Sequence, residues 1–320
     1  METEMEQSMK YAVMFPGQGS QSLGMLGDLQ DALVQQTWAE ASEALGWDLA
    51  QLIADGPQDQ LDRTEFTQPA LLAAGIAVWR IWQSRCEQPP AWLCGHSLGE
   101  YSALVAAGSL AFGDALKLVQ LRGQLMQNAV PEGSGGMAAV LGLDAEALAA
   151  LCEQCDQGLL EPVNFNAPGQ IVVAGESAAL AWLEAQGKAA GAKLVKRLPV
   201  SVPSHCSLMQ GAAEKLGEAL EQVSVSAPGT PVLHNLDAAS RDQPDQIRMA
   251  LRQQLYQPVQ WTRTLDALVF GGCELLLECG PDGVLSGLAK RGARGVPAVP
   301  LGSDAGLQQA LERFNNGGTA

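Results

Sequence analysis

The stretch Gly95-His96-Ser97-Leu98-Gly99 constrains this chain more than any other. It follows the short apolar run Ala91-Trp92-Leu93-Cys94 and opens a helix-like segment, Glu100 to Ala107, that ends at Gly108. G-x-S-x-G between a strand and a helix is the context in which a serine sits on a sharp, strained turn. The flanking glycines remove side chains that would collide across the bend. The helix that follows aims its unpaired N–H groups at the hydroxyl. A chance glycine turn ahead of a helix is the plain alternative, and the strand–turn–helix setting speaks against it.

Around this turn the chain alternates strands and helices. Tyr11-Ala12-Val13-Met14-Phe15 reads as a buried first strand that runs into Pro16-Gly17-Gln18-Gly19-Ser20-Gln21. The loop is no P-loop, since no Gly-Lys-Ser/Thr follows. It is no dinucleotide fingerprint either, since Ser22 stands in place of the third glycine. It is an ordinary tight turn or a loop offering backbone N–H groups to an oxygen anion. From about Asp28 to Arg85 the pattern is helical, with breaks at Gly46 and Asp55-Gly56-Pro57. Gln68 to Trp79 is apolar nearly all round, which predicts a buried helix beside the nucleophile strand.

A further helix is predicted from Asp114 to Asn128. On it Arg122 falls among Leu118, Val119, Leu125 and Met126, inside the apolar stripe, with no acidic residue on that face. An unpaired buried charge costs on the order of 3–5 kcal/mol, so a guanidinium there needs an anion. Arg122 is therefore a snorkelling or core-paired arginine, or a clamp that grips a substrate carboxylate in bidentate fashion.

Residues 131–202 change rhythm. Met137 to Leu143 reads as a strand, Asp144 to Cys155 as a helix with Asp144 as N-cap, and Pro162–Asn166 and Gln170–Ala174 as strands about an Ala-Pro-Gly turn. Ser177 to Ala190 reads as a helix and Lys193 to Val202 as a strand. The order β-α-β-β-α-β is that of a ferredoxin-like split unit. Beyond it, Val202-Pro203-Ser204-His205-Cys206 precedes a helix from about Leu208 to Gln222. Pro231 to Asn235 and Glu274 to Cys279 read as strands and Gln246 to Tyr256 as a helix. Gly280-Pro281 turns into a last helix toward Arg291. The expected fold class is α/β. It has an α/β-hydrolase-like core with a mostly parallel sheet, residues 9–130 and 203–320, and an inserted small ferredoxin-like domain, residues 131–202. Residues 1–8 are expected to be a loose tail.

Composition narrows the function. With 320 residues, 47% of them hydrophobic, the chain can bury a large core. It has no apolar run of about 18 residues for a membrane span, and Met1 to Ser8 carries no signal-peptide core. The seven cysteines have no regular spacing, and Cys152-x-x-Cys155 lacks a second pair or a nearby histidine, so it reads as structural. A cytoplasmic, reduced protein is expected. The net charge of −16 disfavours nucleic acid and anionic membranes as partners.

A serine on such a turn needs a base, and the chain has three histidines. His96 shares the tight turn, so its ring should point away from the hydroxyl. His234 lies in a strand and reads as a satisfied core or surface histidine. His205 lies in a Pro-punctuated loop at a strand end, where catalytic residues of open α/β sheets gather, and is the choice for base. No aspartate to orient it stands out by spacing, and a backbone carbonyl accepting the Nδ1 proton would serve.

Several segments together carry a family resemblance: Phe15 to Gln21, Gly95 to Ser102, Arg122, Pro162 to Asn166, Val202 to Cys206, and Gln254 to Trp261. In order and spacing, from about residue 10 to 292, the chain resembles the malonyl-CoA:acyl carrier protein transacylases of bacterial fatty-acid synthesis. The loop Gly280-Pro281-Asp282 departs from the family pattern, which has a second glycine there. The resemblance implies Ser97 as nucleophile and His205 as base. It implies the backbone N–H groups of Gln18 and Leu98 as an oxyanion hole, Arg122 as holder of the malonyl carboxylate, and the main-chain carbonyl of Gln254 as the group that steadies His205. It implies malonyl-CoA and acyl carrier protein as partners, a malonyl-serine intermediate and no cofactor or metal. A monomer is expected.

An acidic carrier protein would need local positive charge, and two basic clusters offer it: Lys193, Lys196 and Arg197, and Lys290, Arg291 and Arg294. Three other readings stand beside this one: a hydrolase in which water takes the acyl group, a loader for a polyketide synthase, and a non-catalytic docking module. Intact Ser97, His205 and Arg122 speak against the last.

Overall fold

The computed structural model describes residues 9–200 and 202–315, so the tail expected at residues 1–8 lies outside them. The chain opens with β1 (Tyr11–Phe15) and the helices α1 (Ala32–Leu45), α2 (Leu49–Asp55), α3 (Gln58–Leu61) and α4 (Thr64–Arg85). β2 (Trp92–Gly95) leads into α5 (Gly99–Ala106) and α6 (Phe112–Gln127). Next come β3 (Gly135–Leu141), α7 (Ala145–Glu153), β4 (Leu160–Ala167), β5 (Gln170–Glu176), α8 (Ser177–Gln186) and β6 (Leu194–Arg197). A short 3-10 turn at Ser207–Met209 precedes α9 (Gln210–Leu220), β7 (Val232–Leu233), α10 (Pro244–Gln254) and α11 (Trp261–Phe270). The chain continues through β8 (Leu275–Glu278), α12 (Val284–Gly292), β9 (Ala298–Pro300) and α13 (Asp304–Asn315).

The larger sheet is parallel, in the order β7-β2-β1-β8-β9. Its centre is β1, where Val13 stands between Leu93 and Leu277. All of β1 is buried, because helices cover both faces of the sheet. Tyr11, Val13 and Phe15 enter one core with α1, α4, α5 and α6, while Ala12 and Met14 enter another with α11 and α12. This period of two explains why the strand reads as an unbroken apolar run. α4 is the buried helix predicted at 68–79, with apolar residues on every side.

The smaller sheet is antiparallel, in the order β4-β5-β3-β6, and follows the expected β-α-β-β-α-β chain order. Asp144 caps α7 by accepting from Ala147 N at 2.8 Å. Two sequence expectations need correction here. The strand expected over Lys193–Val202 is only Leu194–Arg197. Leu198 N still reaches Met137 O, but Pro199 has no N–H to extend an edge strand. The helix toward Arg291 is not the last element: β9 and α13 follow it. β9 is a three-residue run that follows Pro297 and ends on Pro300, too short to show a period, and it is held as a strand by parallel pairing to β8. α13 then lays Phe314 against Tyr11, ring centres 4.9 Å apart.

Glycines set the closest approaches. A Cβ on Gly95 would lie 1.9 Å from the Gly99 carbonyl carbon, and one on Gly99 would lie 1.9 Å from Phe15 O. No side chain fits at either place, so the turn after β2 folds onto the end of β1 only with glycine there. Gly123 plays the same part between α6 and α4, where a Cβ would lie 2.6 Å from Thr64 O. Gly123→Ala is expected to push the two helices apart and destabilise the protein by about 1–3 kcal/mol, read as a lower urea midpoint. An unchanged midpoint would show that the helices part at no cost.

Candidate active site

The turn after β2 holds Ser97 at φ +52°, a left-handed conformation rare for a residue with a Cβ. Three bonds keep it there. Ser97 N donates to Asn235 Oδ1 at 2.7 Å, Asn235 Nδ2 donates to Gly95 O at 2.6 Å, and Gly99 N donates to His96 O at 2.9 Å. The hydroxyl is thereby lifted off the sheet edge, and Ser97 Oγ lies 2.8 Å from His205 Nε2.

His205 is also left-handed, at φ +65°. Its backbone N donates to Leu255 O at 3.1 Å, and its Nδ1 lies 2.7 Å from Gln254 O. A carbonyl only accepts, so Nδ1 carries the proton and the Nε2 lone pair faces the serine hydroxyl. Burial, reinforced by the Arg122 charge, pushes the imidazole down to about 3. It is therefore neutral near pH 7 and fit to take a proton from Oγ.

Arg122, on α6, has no exposure to solvent. Its Nη1 donates to Gln68 Oε1 at 2.8 Å, and its Nη2 to Gln254 Oε1 at 3.0 Å and to Ser97 Oγ at 3.2 Å. The guanidinium lies over the Tyr101 ring, 5.5 Å from its centre. The need for a neighbouring anion is met differently from the sequence expectation. Among the described residues no carboxylate comes within ion-pair distance of Arg122. Neutral amide oxygens accept its protons instead, which leaves its charge available to a ligand.

Gln18 stands on the loop after β1 and Leu98 at the N-terminus of α5. A Cβ on Gly17 would lie 2.6 Å from His96 O, so the two segments touch. In the loop, Gly19 N donates to Gln21 Oε1 and Ser20 Oγ to Gly17 O. The N–H groups of Gln18 and Leu98 have no protein acceptor among the described residues. A cavity of about 360 Å³ opens beside Gln18, lined by Asp62, Thr64, Leu198, Pro199 and Val200.

The other two histidines lie apart from the hydroxyl, as the sequence suggests. His96 Nε2 lies 2.8 Å from Asn166 Oδ1, with its ring near Trp261. His234 is a buried core histidine with Nδ1 2.7 Å from Glu100 Oε1. Sequence reasoning missed Gln68, Asn235 and Glu100 as parts of the site. Their one signal was polarity in apolar surroundings: Gln68 opens the apolar face of α4, and Glu100 is the sole charge in α5.

A paired hydroxyl and neutral imidazole, two unspent N–H groups and a buried cation make an acyl-transfer site. The chain belongs to the acyl transferase domain family, whose description matches residues 13–305. It is 50% identical over 305 residues to a malonyl CoA-acyl carrier protein transacylase of Salmonella typhimurium, covering 94% of this chain and 99% of that protein. The fold is similar to that of the malonyl CoA-acyl carrier protein transacylase of Coxiella burnetii, with a TM-score of 0.94, 44% identity, and 96% and 98% of the two chains covered. It is similar as well to a malonyl-transacylase in complex with a type II PKS acyl-carrier protein, with a TM-score of 0.93, 49% identity, and 95% and 99% covered.

A buried imidazole that stays neutral can take a proton from Ser97 Oγ well below pH 6.5, the ordinary value for histidine, so acylation of Ser97 is expected to persist there. A pH–rate profile of the acylation step checks this. A midpoint at or above 6.5 would mean that water reaches the ring.

Proposed function

We propose that the chain moves malonyl from coenzyme A to the phosphopantetheine thiol of acyl carrier protein, in fatty-acid biosynthesis, through a malonyl-serine intermediate. The observation that carries this reading is a single oxygen, Ser97 Oγ, set 2.8 Å from a neutral imidazole and 3.2 Å from a fully buried arginine. A plain esterase has no use for a dry cation beside its nucleophile. An enzyme for a carboxylated acyl group does.

In the first half-reaction Ser97 Oγ attacks the thioester carbon as its proton passes to His205 Nε2. The N–H groups of Gln18 and Leu98 receive the oxyanion, each worth about 2.7–4 kcal/mol in the transition state. The C–S bond breaks, and coenzyme A leaves as a thiol with the proton from His205. In the second half-reaction the carrier thiol gives its proton to His205 and attacks the malonyl-serine ester. The ester bond breaks and Ser97 takes the proton back. Arg122 holds the free carboxylate throughout and shifts its Nη2 from Ser97 Oγ to the ligand. Gln254 O holds the Nδ1 proton, so no aspartate is needed. The transfer uses no metal or redox cofactor.

The cavity beside Gln18 is a route for the pantetheine arm. For the carrier protein, Lys193 and Lys196 are exposed, and Arg197 is tied to Glu184 at 3.1 Å. In the second cluster Lys290 and Arg294 are exposed, and Arg291 bonds to Gln170. A monomer is the form proposed for the chain. The described cysteines are free thiols, which fits a reducing compartment, and no helix among the described residues is long and apolar enough to cross a membrane.

A type II PKS carrier is the second reading, favoured by the likeness to the malonyl-transacylase bound to one. Transfer rates to the two kinds of carrier decide between them. Brief exposure to malonyl-CoA is expected to add one malonyl group to the Ser97 peptide, seen by mass spectrometry, and Ser97→Ala to abolish both the adduct and transfer. An adduct elsewhere would reject the nucleophile. Arg122→Ala is expected to lower malonyl-CoA use against acetyl-CoA by about 10- to 100-fold, the worth of charge-assisted hydrogen bonds. Equal losses for the two substrates would remove the clamp.

A further inference from the structure

Glu100, in the first turn of α5, is a carboxylate with no exposure to solvent, and none of the acyl-transfer steps uses it. Its Oε1 accepts from His234 Nδ1 at 2.7 Å. Its Oε2 accepts from the backbone of Asn235 and from Gln254 Nε2, each at 2.9 Å. A buried carboxylate needs an opposite charge as well as hydrogen bonds. His234 Nδ1 supplies one of these hydrogen bonds, and its Nε2 is buried without a partner among the described residues. The cation in this network is Arg122, one amide away. Gln254 Nε2 donates to Glu100 while Gln254 Oε1 accepts from Arg122 Nη2. Turned the other way, this amide would set its carbonyl on the carboxylate and its NH₂ on the guanidinium, so the two charges fix its orientation.

We propose that Glu100 is a positioning residue: through the Gln254 amide it balances the Arg122 charge at one remove and keeps that guanidinium aimed at the carboxylate of an acyl substrate. The proposal rests on the reading of Arg122 as the carboxylate clamp. A carboxylate paired directly with Arg122 would fill the donor fork that the substrate must use. An arginine with no counter-charge would carry its whole desolvation penalty alone. The amide relay avoids both. Nη2 rests on a neutral hydroxyl, Ser97 Oγ, which yields readily to a charged acceptor. The same relay reaches the nucleophile turn, since Gln254 Nε2 also donates to Ser97 O at 2.9 Å and Asn235 holds Ser97 N.

The test is Glu100→Gln, which keeps the size, removes the charge and turns an NH₂ against groups that are themselves donors. kcat/KM is measured for malonyl-CoA and acetyl-CoA, with Arg122→Ala in parallel. Glu100→Gln is expected to lower the malonyl-to-acetyl ratio by roughly 10- to 100-fold, the scale for misplacing a substrate-holding group. A role confined to folding would lower both substrates alike, and that result overturns the proposal. If Arg122→Ala shifts the ratio and Glu100→Gln does not, the proposal fails alone. If neither shifts it, the clamp fails and takes the proposal with it. Should Glu100→Gln not fold, Gln254→Met removes the relay while keeping the main-chain carbonyl on His205. The same fall in the ratio is expected there, and an unchanged ratio overturns the proposal.

Discussion

Arg122 is a positive charge sealed from water, and the arrangement of helices around Ser97 follows from the need to accommodate it. An arginine has five N–H donors and no way to shed its charge, so acceptors must be brought to it. They come from far apart: Gln68 from α4 and Gln254 from the end of α10. Tyr101 of α5 adds its ring face. Four helices must therefore meet at one point, and Gly123 lets α6 approach α4 closely enough for Gln68 to reach. Pairing Arg122 with a carboxylate of the chain would satisfy the charge more simply. It would also close the fork to any ligand. Amide oxygens hold the guanidinium in place without neutralising it, which is what a binding group requires.

The reacting pair shows a second constraint. Ser97 and His205 are both left-handed residues with side chains, and such conformations cost of order 1–3 kcal/mol each. They persist because their surroundings over-determine them. Each has its backbone N–H engaged by a partner distant in sequence, Asn235 for Ser97 and Leu255 for His205. With both backbones so held, Oγ and Nε2 lie 2.8 Å apart. Burial then works with the strain, because removing water both lowers the proton affinity of the ring and strengthens each contact within the site.

Legibility in the sequence tracks how local each requirement is. The nucleophile turn was readable because its glycines, its strand and its helix are contiguous. The β-α-β-β-α-β order was readable because its connections are short. Arg122 was noticed through its place in an apolar stripe, yet the acceptors that hold it were invisible, since Gln68 lies 54 and Gln254 132 residues away. Asn235 is 138 residues from the serine it holds, and nothing in its own segment marks it. β9 and α13 escaped for another reason. β9 is a three-residue strand only because β8 offers it an edge. α11 also went unread, although its Trp261, Leu265 and Leu268 fill the core beneath β1 and β8.

The antiparallel sheet does more than cover the site, because its hydrogen bonds reach the segments that carry His205 and Ser97. β4 reaches the neighbours of both His205 and Ser97. Glu161 accepts from Ser207 N at 2.9 Å and Ser207 Oγ at 2.7 Å, which pins the loop just after His205. Asn166, on the same strand, meets His96 beside Ser97 at 2.8 Å. Between them Val163 O and Phe165 N bond to Val259, and Phe165 O accepts from Thr262 Oγ, so the strand is stitched to the start of α11 along its length. The distance between His205 and Ser97 is thus held from two directions, by α10 through Gln254 and by β4 from the opposite element.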